Sequence, residues 1–154
     1  MKVLHILNSL MPSGAETMLV SSAGCWTGCE LHVLAAQKEI GIYADTMRQA
    51  GFVIHHIWDQ SLWTKHRKIL SFIKREQFDV VHIHPQSQSL FYALDAKSAG
   101  VPSIVRTVHS MFLFTDLLRF RETVFRMLMR LIGVKFVSIS DSVAENERVR
   151  FHNK

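Results

Sequence analysis

The chain has 154 residues and a net charge of +5, with 48% of residues hydrophobic and 20% charged. That length suits one domain, and that apolar fraction excludes a disordered tail. No stretch approaches the roughly 18 apolar residues of a spanning helix, His5 spoils the run after Lys2 as a secretory signal, and two cysteines do not make a disulfide framework.

The first apolar run predicts a strand over 2–7, broken by Pro12, Ser13 and Gly14 before a helix over 15–24 that places Ala15, Met18, Leu19 and Ala23 on one face. Two readings of that corner stay open on these residues alone. Ser13-Gly14-Ala15-Glu16 fits S-x-x-E, a capping box in which Ser13 bonds the amide of Glu16 and Glu16 reaches back to the amide of Ser13. The same corner aims helix N-terminal amides outward, which suits phosphate, and Gly14 lets a ligand approach without a Cβ in the way. A dinucleotide fingerprint, G-x-G-x-x-G, is absent. Cys25 and Cys29 read as reduced thiols of a cytoplasmic protein; zinc would need further ligands, and only His32 is close in sequence.

Further along, strands are predicted over 30–36, 52–57, 79–84, 103–108 and 135–139. Helices are predicted over 44–50, ending at Gly51, and over 66–77, with Ile69, Leu70 and Ile73 on one face. Three more run over 87–99, ending at Gly100 with Pro102 beyond, over 116–132, stopped by Gly133, and from near Ser142. Runs such as Val80-Val81-His82-Ile83 are continuous rather than alternating, the pattern of strands buried on both faces of a parallel sheet. Repeated β-α alternation then implies an α/β fold: a doubly wound, mostly parallel Rossmann-like sheet of about six strands, with helices on both faces. Ligands bind such sheets at the carboxyl ends of the strands.

The histidines need separate treatment. His82 and His84 are two apart on one strand and share a face, which taken cold suggests a metal. No carboxylate or cysteine cluster supports one, so no metal is expected. His84 would border a pocket at the strand's carboxyl end, His82 would pack beneath a helix, and His5 reads as a satisfied core histidine. His55 and His56 point to opposite faces and suggest no site. Residues 116–132 combine Leu117, Leu118, Val124, Phe125, Leu128 and Leu131 with four arginines, and a crossover helix needs its apolar stripe in the core. The basic excess gathers at Lys65, Arg67, Lys68, Lys74 and Arg75, and again at Arg119, Arg121, Arg126, Arg130 and Lys135. It suits nucleotide phosphates, anionic membranes or nucleic acid, and composition does not choose among them.

Four segments in order, "SGAET", "FDVVHIH", "AGVPSIVRTVHS" and "FVSISDSVAE", resemble the N-terminal domain of retaining family 4 glycosyltransferases of GT-B architecture. One departure is Ser13, where the family's loop has its first glycine. The resemblance implies transfer of a sugar from a nucleotide-sugar donor to a glycan or lipid-linked acceptor, in cell-surface polysaccharide biosynthesis. By that likeness Gly14 and Ala15 lend amides to the leaving diphosphate, His109 faces the transferred sugar as the catalytic residue, and His84 and Glu16 border the acceptor. Gly14, His84 and His109 would line one open groove. It implies no cofactor and no nucleic acid partner, a cytoplasmic location, and docking on anionic lipid at the inner face of the membrane. It also implies that residues 1–154 form one acceptor-side domain, with the donor-binding domain and its E-x7-E pair absent, since Glu145 and Glu147 stand too close together. The isolated chain is then expected to fold but not to transfer sugar. A non-catalytic α/β module that binds nucleotide or carbohydrate is the alternative, and an oxidoreductase or epimerase is disfavoured by the missing fingerprint.

Overall fold

The computed structural model describes residues 1–111 and 115–151. Six strands alternate with six helices: β1 (Lys2–Leu7), α1 (Gly14–Ser22), β2 (Glu30–Ala35), α2 (Ala44–Gln49), β3 (Val53–His56), α3 (Leu62–Glu76), β4 (Val80–Ile83), α4 (Ser89–Ser98), β5 (Ser103–Val108), α5 (Asp116–Leu131), β6 (Lys135–Ser138) and α6 (Asp141–Phe151). All strand pairs are parallel, in the order β3-β2-β1-β4-β5-β6. The chain works outward from β1 to β3, then returns through α3 to start again at β4 on the other side. The order therefore reverses between β1 and β4, and the carboxyl ends of those two strands open a crevice there.

Strand alternation sorts β1 between two cores. Leu4 and Ile6 face one side, packed with Ile69 and Ile73 of α3, Ala93 of α4 and Met129 of α5. Val3 and Leu7 face the other, packed with Leu19 of α1, Met47 of α2 and Phe52. Because both faces of β1 are covered, its sequence from Val3 to Leu7 is apolar except at His5, which alternation assigns to the α1 side. Helix α3 starts at Leu62, four residues before the expected 66, because Ser61 caps it: the Thr64 amide donates to Ser61 Oγ at 3.4 Å.

One glycine is required by packing. Gly41 has a φ of +98°, and a Cβ there would lie 2.2 Å from the Leu10 carbonyl oxygen. Leu10 is tied down beside it: its amide donates to the Ile40 carbonyl (2.7 Å) and its carbonyl accepts from the Tyr43 amide (2.9 Å). The segment at 40–43 thus anchors the loop that leads from β1 into α1.

Helix α5 departs from the expected arrangement. Of the stripe expected in the core, Val124 and Phe125 are half-buried and Phe125 packs against it, but Leu117 and Leu131 are 79% and 74% exposed and Leu118 and Leu128 are also exposed, joined outside by Phe120 at 68%. The buried side of the helix carries Glu122, Arg126 and Met129. Arg126 is fully buried and makes paired bonds to Glu147 of α6 (Nε to Oε2 2.7 Å, Nη2 to Oε1 3.0 Å). Its Nη1 donates to Glu122 Oε2 at 2.9 Å, and its guanidinium stacks on Phe151, 3.9 Å from the ring centre. Ion pairing between α5 and α6 sets the inward side of α5, and most of the apolar stripe is left outside.

Candidate functional site

The crevice is a groove of about 510 Å³ at the carboxyl ends of β1, β4 and β5. Gly14, Ala15, Glu16, His84 and His109 all line it, together with Asn8 and Gln86. Thus the five residues singled out from sequence come together, contributed by the β1–α1 corner, the end of β4 and the end of β5.

The corner is not the expected capping box. Ser13 is extended and makes no side-chain bond to the helix amides. Its hydroxyl donates instead to Glu16 Oε2, and its own amide is taken by the Met11 carbonyl at 2.7 Å. That charge-assisted bond sets the rotamers of Ser13 and Glu16, and in this geometry neither side chain accepts from a backbone amide of the helix end. The first amides of α1 are therefore left without a side-chain acceptor, on a helix end that carries partial positive charge. Glu16 itself is buried in the groove wall.

Histidines form the floor. His5 and His82 are register partners on β1 and β4, and His84 follows two residues later on the same face. His5 Nδ1 lies 3.2 Å from His84 Nε2, and His84 Nδ1 lies 3.0 Å from His109 Nε2. His82 is half-buried and bonds Thr107 Oγ1 through Nε2 at 2.6 Å, a sheet neighbour on β5 rather than the helix expected above it. His5 is buried as expected but not satisfied: its Nε2 has no partner among the described residues. Burial, with His82 close by, pushes His5 down to about 3, and burial, with His109, pushes His82 down to about 4. His84 is held well below the ordinary histidine value by burial and by its three histidine neighbours, and His109 is lowered by burial. All four are neutral imidazoles at neutral pH, each with one N–H to give and one lone pair to accept.

Neutrality orders the chain of protons. A buried N–H without an acceptor is rarer than an unused lone pair. The favoured direction has His5 donating to His84 and His84 donating to His109, leaving the unused lone pair at His5. His109 then keeps its remaining N–H, at Nδ1, as a donor for a ligand in the groove. Gln86 ties this groove to the α5 network, since its Oε1 accepts from Arg106 and its Nε2 donates to Glu122 at 2.6 Å.

A larger groove, about 890 Å³, lies between the edge strand β3 and α3 and is lined by Trp58, Arg67, Lys68 and Arg75. His55 and His56 both line it, although sequence reading assigned them no site. Two of its cations are already paired, Lys68 with Asp59 (2.9 Å) and Arg75 with Glu76 (3.1 Å). It lies away from the point where the strand order reverses.

Sequence reasoning missed His5 as a neighbour of His82 and His84. The strand order would have revealed it, because β1 and β4 are neighbours in the doubly wound order 3-2-1-4-5-6 found here.

The fold and the groove together define a Rossmann-like α/β domain with a ligand crevice at its topological switch point. The chain belongs to Glycosyltransferase Family 4, whose sequence profile matches residues 13–151. No curated protein sequence matches it. Solved structures share the fold. Anabaena HepE in complex with UDP is 14% identical with a TM-score of 0.64, covering 99% of this chain and 50% of that one. The same protein with UDP-glucose gives a TM-score of 0.63 at 14% identity, with the same coverage of both chains. UDP-GlcNAc 2-epimerase from Methanocaldococcus jannaschii is 17% identical with a TM-score of 0.64, covering 100% of this chain and 43% of that one. The chain thus spans half or less of the length of these structures.

Proposed function

We propose that this chain is the acceptor-side domain of a retaining GT-B glycosyltransferase that moves a sugar from a nucleotide-sugar donor to a glycan or lipid-linked acceptor in cell-surface polysaccharide synthesis. The observation that carries the reading is the convergence of the uncapped α1 amides with His84 and His109 in one groove. Breaking a glycosidic bond to a diphosphate leaves negative charge on the departing oxygens. The amides of Gly14 and Ala15, fixed before reaction, stabilise that charge as it develops. His109, held by His84, donates to a sugar hydroxyl, and Glu16 and His84 border the acceptor. HepE bound to UDP and to UDP-glucose supports a uridine nucleotide as the donor's carrier. The epimerase likeness is one of fold, and the family profile favours transfer over epimerisation.

Donor and acceptor must be held together in a water-poor cleft, so a second domain facing this groove is part of the proposal. The test is His109→Ala in an enzyme carrying both domains. Turnover should fall by about 100-fold or more while the melting temperature stays nearly unchanged. Unchanged turnover removes His109 from the mechanism. A non-catalytic binding module would instead bind nucleotide or sugar with no transfer in the two-domain protein.

We further propose a cytoplasmic location with α5 resting on anionic lipid at the inner face of the membrane. Leu117, Phe120 and Leu131 are exposed on that helix, flanked by Arg119 and Arg121, and no helix among the described residues is long and apolar enough to cross a membrane. Co-sedimentation with phosphatidylglycerol vesicles, lost with neutral vesicles and in Leu117→Ser/Phe120→Ser/Leu131→Ser, supports this. Equal sedimentation by the variant contradicts it.

A further inference from the structure

The histidine floor of the groove holds more than the transferase reading uses. Among the described residues, one ring nitrogen from each of His5, His82 and His84 lies within 4.8 Å of the others. We propose that these three imidazoles form a binding site for a single borderline divalent transition-metal ion, with Zn²⁺ the best match. The proposal does not rest on the transferase reading.

Four features of the arrangement point the same way. First, the rings come from two adjacent strands whose register makes His5 and His82 direct partners, so the backbone holds the ligands rather than a loop. Second, the 3.2 Å between His5 Nδ1 and His84 Nε2 matches the separation of about 3.3 Å that two nitrogens adopt on a tetrahedral Zn²⁺ with bonds of about 2.0–2.1 Å. The ligand nitrogens of all three rings lie within 4.8 Å of one another.

Third, the outer nitrogens of two rings already have the partners that orient metal-bound histidines. Thr107 Oγ1 holds His82 Nε2, which leaves Nδ1 for an ion, and His109 holds His84 Nδ1, which leaves Nε2, the nitrogen that faces His5 Nδ1, for the same ion. Fourth, His5 is fully buried, and with Nδ1 on the ion its N–H sits at Nε2, on the other side of the ring. Trp26 and Phe52 stand edge-to-face against His5, with ring centres at 5.7 and 6.1 Å, and keep that side of the site dry.

The donor set also selects the ion. Three neutral imidazoles suit Zn²⁺, Co²⁺, Ni²⁺ and Cu²⁺, whereas Mg²⁺ and Ca²⁺ want oxygen. His84 lines the groove, so a fourth position can open toward it for water or a ligand atom. Three protein ligands and one open position is the arrangement of a reactive zinc site rather than a closed structural one.

The experiment uses the whole 154-residue chain, without a polyhistidine tag, stripped with a chelator and then dialysed. Zn²⁺ is titrated against a chromophoric chelator competitor, and Co²⁺ is followed by visible absorption. The expected result is one equivalent of Zn²⁺ bound with a Kd of about 1 μM or tighter, a four-coordinate Co²⁺ spectrum, and displacement of Co²⁺ by Zn²⁺. His82→Ala, on a half-buried ring, should weaken binding by about 100-fold or more with an unchanged far-ultraviolet spectrum. Cys25→Ser/Cys29→Ser, which removes both thiols, and Glu30→Gln/His55→Ala, which breaks up the Glu30–His32–His55 cluster, should leave it intact. Absence of a one-equivalent site, an octahedral Co²⁺ spectrum of hydrated ion, or loss of the site with the cysteines or His55 instead of His82 overturns the proposal. The wild-type Co²⁺ spectrum decides the matter even if a histidine variant does not fold.

Discussion

Two buried polar clusters lie on opposite faces of the sheet, and they are satisfied to different degrees. Beneath α5, Arg126 is charged, fully buried and matched by two carboxylates that fit its geometry. Beneath the groove, His5, His82 and His84 are neutral; His5 bonds His84, His84 bonds His109 and His82 bonds Thr107, while a ring nitrogen of His5 has no partner among the described residues. A buried group kept only for the fold is expected to be satisfied, because an unmet donor or acceptor costs about 1–3 kcal/mol. Arg126 fits a structural role by this measure, whereas the histidine cluster, and Arg106 beside the Arg126 network with Nε and Nη1 buried and unpartnered among the described residues, leave polar atoms unmet.

Arg126→Met should give the largest change. It strands the Glu122 and Glu147 carboxylates in the interior and should cost about 3–5 kcal/mol, read as a large fall in denaturant midpoint. Adding Glu122→Gln and Glu147→Gln should recover part of the loss, since charge rather than volume is the problem. A drop below about 1 kcal/mol in the single variant would make the α5–α6 pairing incidental.

Gly41→Ala comes next. Its methyl group meets the Leu10 carbonyl at 2.2 Å in a backbone conformation that disfavours side chains. A loss of about 2–3 kcal/mol is expected, with the loop ahead of α1 loosened. Hydrogen exchange should show the change concentrated near residues 9–14; a uniform effect would mean that Gly41 does not position the loop.

The histidine cluster should respond to acid rather than to truncation. Both His5 and His82 titrate well below the value of about 6.5 that they have in the unfolded chain. Below pH 6.5 the unfolded chain takes up protons that the native cluster refuses until about pH 4 for His82 and about pH 3 for His5. Stability of the chelator-treated protein should therefore fall as pH drops through that window, and remain level above it as far as these groups are concerned. His5→Leu should shallow that slope. At pH 7 the same variant is expected to change stability by less than about 1 kcal/mol, the smallest effect of the series, since it removes an unsatisfied polar group along with its packing. A loss as large as that of Arg126→Met would erase the contrast between the clusters.

Much of this arrangement was legible in the sequence. The runs at 2–7 and 103–108 became β1 and β5 with the same limits. The convergence of Gly14, His84 and His109 followed from placing all three after strands of a doubly wound sheet. What was not legible depended on partners far along the chain. Periodicity in α5 reveals a stripe but not which side turns inward; that is decided by Arg126 meeting Glu147 on the next helix. Local pattern predicted a capping box at Ser13, but whether a hydroxyl chooses an amide or a carboxylate depends on rotamer geometry. His5 looked like an isolated core residue because its neighbours, 77 and 79 positions away, join it only through strand order.

The account's central claim is that ligand enters at the switch-point groove, and one titration tests it most directly. Nitrogen-15 NMR spectra of the chain, with labelled backbone and imidazole nitrogens, are followed as UDP-glucose is added. The account predicts weak binding with a Kd of about 1 mM, since this chain supplies one wall of the cleft. It also predicts shifts concentrated at the amides of Gly14, Ala15 and Glu16 and at the ring of His109. Shifts confined to Arg67, Lys68 and Arg75 in the groove beside β3, or no response at Gly14 and His109 under saturating ligand, would contradict it.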